Sequence, residues 1–243
     1  MDVTLFYKDI RDWVGTSPLI ITDYGPSVKY SQYENKEYAN VRGVTVKIEK
    51  RYSYHFSAGL DYSFQIAEGT YSNPDDAFNA IQANQEPIKN IVPLEWDQNH
   101  TLNGRIVTRV GSWTASLIGR YWTGRPYTPQ FAQGEKTGPA SNIGLKENSA
   151  RLPNQKSVDL YLNRRIKLSG VHMNIFLNIY NLFDSRDETF VYTDTGTAEY
   201  TTTVRIEEIP YESGRVGSLD SYVMRPEWYT APRQIQVGFS LGF

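Results

Sequence analysis

An all-β chain, arranged as an antiparallel up-and-down transmembrane β-barrel segment, is predicted by three observations on the sequence. Apolar and polar side chains alternate over about eight separate stretches, the connections between them are tight on one side and long on the other, and aromatic residues gather near the stretch ends. Successive side chains of a strand point to opposite faces, so alternation writes one oily and one polar face. Combined with the loop asymmetry, this is the pattern of an outer-membrane barrel with short periplasmic turns and long extracellular loops.

Val3, Leu5 and Tyr7 open the series, and Val44, Val46 and Ile48 alternate with Thr45, Lys47 and Glu49. From His55 to Ile66 the period of two is strict: Phe56, Ala58, Leu60, Tyr62, Phe64 and Ile66 face away from His55, Ser57, Gly59, Asp61, Ser63 and Gln65. Leu102, Ile106 and Val110 then oppose Asn103, Arg105 and Arg109, and Trp113, Ala115, Leu117 and Tyr121 oppose Thr114, Ser116, Arg120 and Trp122. Val158, Leu160 and Leu162 oppose Asp159, Tyr161 and Asn163, while Val171, Met173, Ile175, Leu177 and Ile179 oppose His172, Asn174 and Asn178. The last stretch sets Ile235, Val237, Phe239, Leu241 and Phe243 against Gln236, Gly238, Ser240 and Gly242. Each is near the roughly 9 to 11 residues that a tilted strand needs to cross hydrocarbon.

Tight turns are expected at residues 51–54, at Gly111-Ser112 and at Ser169-Gly170. The stretches around 9 to 39, 67 to 98, 123 to 152 and 183 to 231 are expected to be long loops, rich in Pro, Gly, Asn, Asp and Glu. Four such loops would count against a compact soluble domain. Tyr54, Phe56 and Trp113 lie beside the short turns, and Tyr62, Phe64, Tyr121, Trp122, Tyr180 and Phe183 toward the long loops, as interfacial girdles require.

Composition agrees. The 243 residues include 18 Tyr and 5 Trp and carry a formal net charge of -2, which argues against a nucleic-acid partner. A mean hydropathy of -0.51 excludes a helical membrane protein, since no run approaches ~18 apolar residues, but a barrel strand needs only alternate apolar positions. The absence of cysteine excludes disulfides, thiolate metal sites and a Cys nucleophile. Residues 1–5 have no basic or apolar leader character and the strand pattern begins at once, so the chain is expected to be a piece of something longer.

Residues 238–242 satisfy G-x-S-x-G, but that elbow works at a strand-to-helix turn with an acid and a His downstream, and only one residue follows, so Ser240 is not expected to be a nucleophile and no enzymatic activity is expected. His55, His100 and His172 stand on different strands without metal-ligand spacing. Asp75-Asp76 and Glu207-Glu208 read as solvated loop acids rather than a Ca²⁺ site, and neither cofactor nor metal is expected. Asp61, Arg105, Arg109, Arg120, Asp159 and Arg165 are expected to face the lumen as a charge network, pairing with one another, holding a plug or meeting a ligand. By position near the outer loops, Trp122, Arg125, Tyr127 and Tyr192 are the candidates for ligand contact.

Residues 2–10 and 38–46, the segment Asp97-Gln98-Asn99-His100-Thr101-Leu102-Asn103, the segment Asn178-Ile179-Tyr180-Asn181-Leu182-Phe183-Asp184 and the finish from Ala231 to Phe243 resemble the C-terminal part of TonB-dependent outer-membrane receptors. The Asn-Leu-Phe segment at 181–183 is the most specific of these matches. The resemblance implies a ligand-gated importer of scarce solutes such as a metal chelate, vitamin or oligosaccharide. Its implied partners are outer-membrane lipid, a small-molecule or glycan ligand, an inner-membrane energising complex reached through a missing N-terminal region, and the outer-membrane barrel-assembly machinery. That machinery would read Phe239, Leu241 and Phe243 of the final strand. Plugged transporters have about 22 strands, so residues 1–243 would be the C-terminal part of the barrel, without the plug and first strands. The alternatives are a complete eight-stranded barrel with an adhesin or structural role, and a soluble carbohydrate-binding β-sandwich.

Overall fold

The computed structural model describes residues 1–17, 20–21, 29–70, 90–130, 147–202 and 224–242. Eight long strands form one antiparallel sheet: β1 (Asp2–Thr16), β4 (Tyr33–Ser53), β5 (Phe56–Gly69), β7 (His100–Val110), β8 (Trp113–Trp122), β11 (Gln155–Leu168), β12 (Val171–Tyr180) and β13 (Gln234–Gly242), paired in that order. Short strands accompany them: β2 (Ile20–Ile21) with β3 (Lys29–Tyr30), β9 (Pro126–Tyr127) with β10 (Ala150–Arg151), and β6 (Val92–Pro93) on β5. The up-and-down order follows from the tight turns, which allow only neighbours in sequence to pair.

Register carries the two-faced pattern across the whole sheet. Ala58, Ile106, Leu117, Leu160, Ile179 and Ile235 form one row, and Leu162, Leu177 and Val237 continue the next. On the opposite face Lys47, Asp61, Asn103, Arg120 and Ser157 run across five strands. Ile106, Val237 and Phe239 are exposed by 50%, 73% and 71%, so this part of the oily face is uncovered among the described residues. All six charges expected on the polar face lie on it by register.

Several boundaries move. Most of the described part of 9–39 is ladder: β1 continues to Thr16 and β4 starts at Tyr33, with a bulge where Asp12 takes φ 57°. The extra bulge residue flips the side-chain order and sends Trp13 against the packed cluster around Ala39. The first tight turn is Tyr54-His55, both at positive φ (50° and 70°), rather than residues 51–54. Those dihedrals match the strand twist but are costly for non-glycine residues. The Lys50 ammonium holds them, donating to the Ser53 hydroxyl at 2.8 Å and to the carbonyls of Ser53 and Phe56 at 3.0 and 3.1 Å. Tyr180, expected in the outer girdle, instead packs edge-on against Tyr161 of the polar face at 5.7 Å.

The buried core is small and lies at the outer end of the polar face. Ala39, Val41, Ala67 and Leu94 are packed with Phe6, Ile10 and Trp13. Leu94 arrives from the segment after β6, which takes over the β5 edge where β7 leaves it, Leu94 N–H donating to Ala67 O at 3.0 Å.

Candidate functional site

Two buried carboxylates fasten loops to the outer end of the wall. Asp159, on β11, is 4% exposed and accepts from Arg120 Nη1 of β8 at 2.7 Å and from the Asn181 N–H at 3.0 Å. Asn181 takes φ 52°, a conformation that Asn tolerates because its short amide bonds locally. Its side chain accepts from Ser185 N–H and donates to the carbonyls of Ser185 and Ala231, each at 2.9 Å. The Asn-Leu-Phe segment is therefore the point where the chain leaves β12 and is pinned to the wall.

Asp97, 1% exposed, makes the second fastening. It accepts from the Ala67 N–H at 2.7 Å, from Asn99 Nδ2 at 3.1 Å and from the Arg151 guanidinium, whose other nitrogen donates to Asp97 O at 2.8 Å. Arg151 Nη1 also reaches Gly124 O at 3.3 Å, so one guanidinium joins the segments after β6, after β8 and at β10. Two charges this deep are stable only because their hydrogen-bonding capacity is filled.

Above these fastenings lies an aromatic group. The Tyr192 ring lies 4.6 Å from that of Trp228, and the Phe190 ring lies 6.4 Å from it. The Arg186 guanidinium stands 4.5 Å over the Tyr229 ring. Trp122 Nε1 donates to Gln155 Oε1 at 3.0 Å, and Gln155 Nε2 donates to Glu188 O at 3.2 Å. Glu188 accepts in turn from Thr197 Oγ1 and Ala198 N–H at 2.7 and 2.9 Å, which shapes the loop bearing Tyr192. A Cβ on Gly196, at φ 75°, would come within 2.9 Å of the Tyr127 hydroxyl, so that tyrosine lies directly against the same loop. Burial pushes the Tyr127 hydroxyl pKa up from the ordinary tyrosine value. Burial would also raise the Asp194 carboxyl, but hydrogen bonds from Thr202 and Thr201 outweigh it and hold the group below the ordinary carboxylate value.

Of the four residues expected at the ligand, Tyr127 lies against the loop that bears Tyr192, and Trp122 is linked to that loop through Gln155 and Glu188. Arg125 is exposed and joins the framework through its carbonyl, which accepts from Leu152 N–H at 2.9 Å. Trp228, Phe190 and Arg186 were missed, as were Asp97 and Arg151, because loop residues carry no periodicity to expose them. Of the six charges on the polar face, Arg120 pairs with Asp159, Arg105 approaches Glu49 at 3.9 Å and Arg109 lies 5.7 Å over the Tyr52 ring. His100 shares a 2.8 Å hydrogen bond with Tyr62 and packs 5.1 Å from Phe64, His55 is in the first turn and His172 is at the opposite end of the polar face. Asp75, Asp76, Glu207, Glu208 and Phe243 lie outside the described residues.

An uncovered oily face, a polar face opposite it and loops fastened at one end define the wall of an outer-membrane β-barrel. Residues 1–182 match the family described as TonB dependent receptor-like, beta-barrel, and the chain belongs to that family and to the bacterial outer membrane. In fold it is similar to the solved outer membrane transporter YddB from Escherichia coli, with a TM-score of 0.55 at 11% sequence identity over 76% of this chain and 26% of that one. The chain therefore spans about a quarter of that transporter's length. No curated protein matches the sequence at a significant level.

Proposed function

We propose that this chain is the C-terminal wall of a TonB-dependent importer that takes up a scarce solute, a metal chelate, vitamin or oligosaccharide, across the outer membrane. The observation that carries the reading is the family match over residues 1–182. Trp122, Tyr127 and Tyr192, with Arg125 at the edge, hold the solute at the outer rim, where aromatic faces offer contact area with little lost entropy. The lumen charges brace the wall against whatever fills the barrel. Energy comes from an inner-membrane complex acting through a region N-terminal to this chain, and Phe239, Leu241 and Phe243 are read by the assembly machinery. The fold likeness to a transporter of which this chain spans about a quarter supports a share in a wider wall over a complete eight-stranded adhesin. A single sheet with one uncovered face argues against the soluble sandwich.

The test is uptake of labelled metal chelates, vitamins and oligosaccharides by cells carrying the full-length receptor. Trp122→Ala with Tyr192→Ala should cut uptake of one class about tenfold or more, each lost aromatic anchor being worth ~1 kcal/mol or above, at unchanged membrane levels. Undiminished uptake of every class would remove these residues from the ligand site.

A further inference from the structure

The oily face is not even. An apolar groove of about 370 Å³ runs across it from Ile48 and Lys50 of β4, past Leu60 and Ile106, to Leu117 and Gly119 of β8. Its floor is backbone at Gly104 and Gly119, which are direct partners in the ladder. A Cβ on Gly119 would meet nothing within 4 Å, and one on Gly104 would meet only Leu60 Cδ1, at 3.6 Å, so the floor is open to a guest.

The groove climbs through one leaflet. At its low end the Lys50 ammonium bonds to Ser53 and to Phe56 O beside the first tight turn, with the exposed Arg51 next to it. At its high end Gly104 and Gly119 each stand seven residues from the second turn at Gly111-Ser112, about 23 Å along a strand and, at a tilt of ~45°, about 16 Å above that turn. That is half of a ~30 Å hydrocarbon core, so the floor lies near the midplane, where the acyl chains of one leaflet end. The charge at the low end is unmatched. Among the described residues no carboxylate lies within ion-pairing distance of Lys50 or Arg51, and neighbouring Glu49 is committed to Lys47 and Arg105. The acceptors around Lys50 are neutral, and the Ser53 hydroxyl that accepts from it keeps its own proton to donate.

We propose that the groove seats one anionic phospholipid of the periplasmic leaflet. Its phosphate lies at Lys50, Arg51 and the Ser53 hydroxyl, and one acyl chain crosses β5 and β7 to end on Gly104 and Gly119. An uncompensated cation at headgroup level selects a net negative head group, and a groove that stops at the midplane matches the reach of a single leaflet's chain. The seat does not depend on which solute is imported.

The experiment titrates the full-length receptor in detergent micelles with dipalmitoylphosphatidylglycerol and counts bound lipid by native mass spectrometry. One molecule should be retained at least about tenfold more tightly than dipalmitoylphosphatidylethanolamine, and Lys50→Gln with Arg51→Gln should remove that preference, charge-assisted contacts being lost. Lys47→Gln, a cation of the same strand on the polar face, should leave it unchanged. Because Lys50 also holds the first turn, Gly119→Leu supplies a test that leaves the turn alone. It should weaken the dipalmitoyl lipid about tenfold, two methylenes losing their burial, and leave dioctanoylphosphatidylglycerol, whose chains stop short of the floor, unaffected. Equal retention of the two head groups, an equal loss with Lys47→Gln, no loss or an equal loss of both chain lengths with Gly119→Leu, or a receptor dimer in place of bound lipid would each overturn the proposal.

Discussion

From the tight turns up to about Leu60, Gly104 and Val158 the wall is a bare two-faced ladder, whereas beyond those residues loops fold back onto its polar face and bury it. In the lower region Ile106, Val237 and Phe239 stay open, and the exposed ion pair of Arg105 with Glu49 is 3.9 Å long. In the upper region Ala39, Ala67 and Leu94 are fully buried, and Asp97 and Asp159 are closed off from solvent. The difference shows where each half finds its stability. The ladder satisfies its backbone internally and leaves its oily face to lipid, the only solvent that suits it. The outer rim faces water and has to bring its own core and ion pairs.

Asp97→Ala should give the largest effect. It leaves Arg151 and the Ala67 amide without their acceptor, and removing one member of a buried pair costs about 3 to 5 kcal/mol. Glu49→Ala in the ladder should cost under about 1 kcal/mol, as exposed pairs do. Urea unfolding in micelles would measure both, and equal costs would erase the distinction between the two regions.

Leu177→Arg follows, at about 2 to 4 kcal/mol for a cation near the bilayer midplane, with Asn178→Arg on the polar face tolerated far better. Equal effects in lipid vesicles would reverse the faces assigned by register. The final strand comes third: replacing Phe239 with Ser should lower membrane insertion of the full-length receptor, because alternate side chains beside an unpaired edge supply recognition. Ser240→Ala, on the other face, should change neither insertion nor uptake; lost uptake at normal insertion would revive a nucleophilic role for that serine.

The smallest effect is a pH response confined to the rim. Asp194 has its pKa lowered below the usual 3.8, so its bonds to Thr201 and Thr202 contribute above that value and are lost as pH falls through the lowered one. Protease nicking near residues 194–202 should rise in strong acid, and Asp194→Asn should show the increase already at pH 7.

Two cations stand on the oily face itself. Arg164 shares the oily face with Ile175 and Phe239 by register, yet its guanidinium lies 5.0 Å over the Trp113 ring near the short turns. Long cationic side chains there can lay their stems along apolar surface and keep the charge at the headgroup level. Lys50 does the same at the neighbouring turn, 3.8 Å over Phe56, while clamping the strained Tyr54-His55 pair.

Strand identity, face and order were legible from the residues themselves, because a period of two and the length of a turn are local properties. Asp61, Arg105, Arg109, Arg120, Asp159 and Arg165 could be assigned to one face for that reason alone. The union of Arg120 with Asp159 and Asn181, and of Asp97 with Arg151 and Ala67, needed the tertiary structure. These partners are 22 to 54 residues apart and lie partly in loops. No sequence period records which loop carbonyl or carboxylate will complete a guanidinium's hydrogen bonds. That is settled only when folding removes water and leaves each buried charge the partners within its reach.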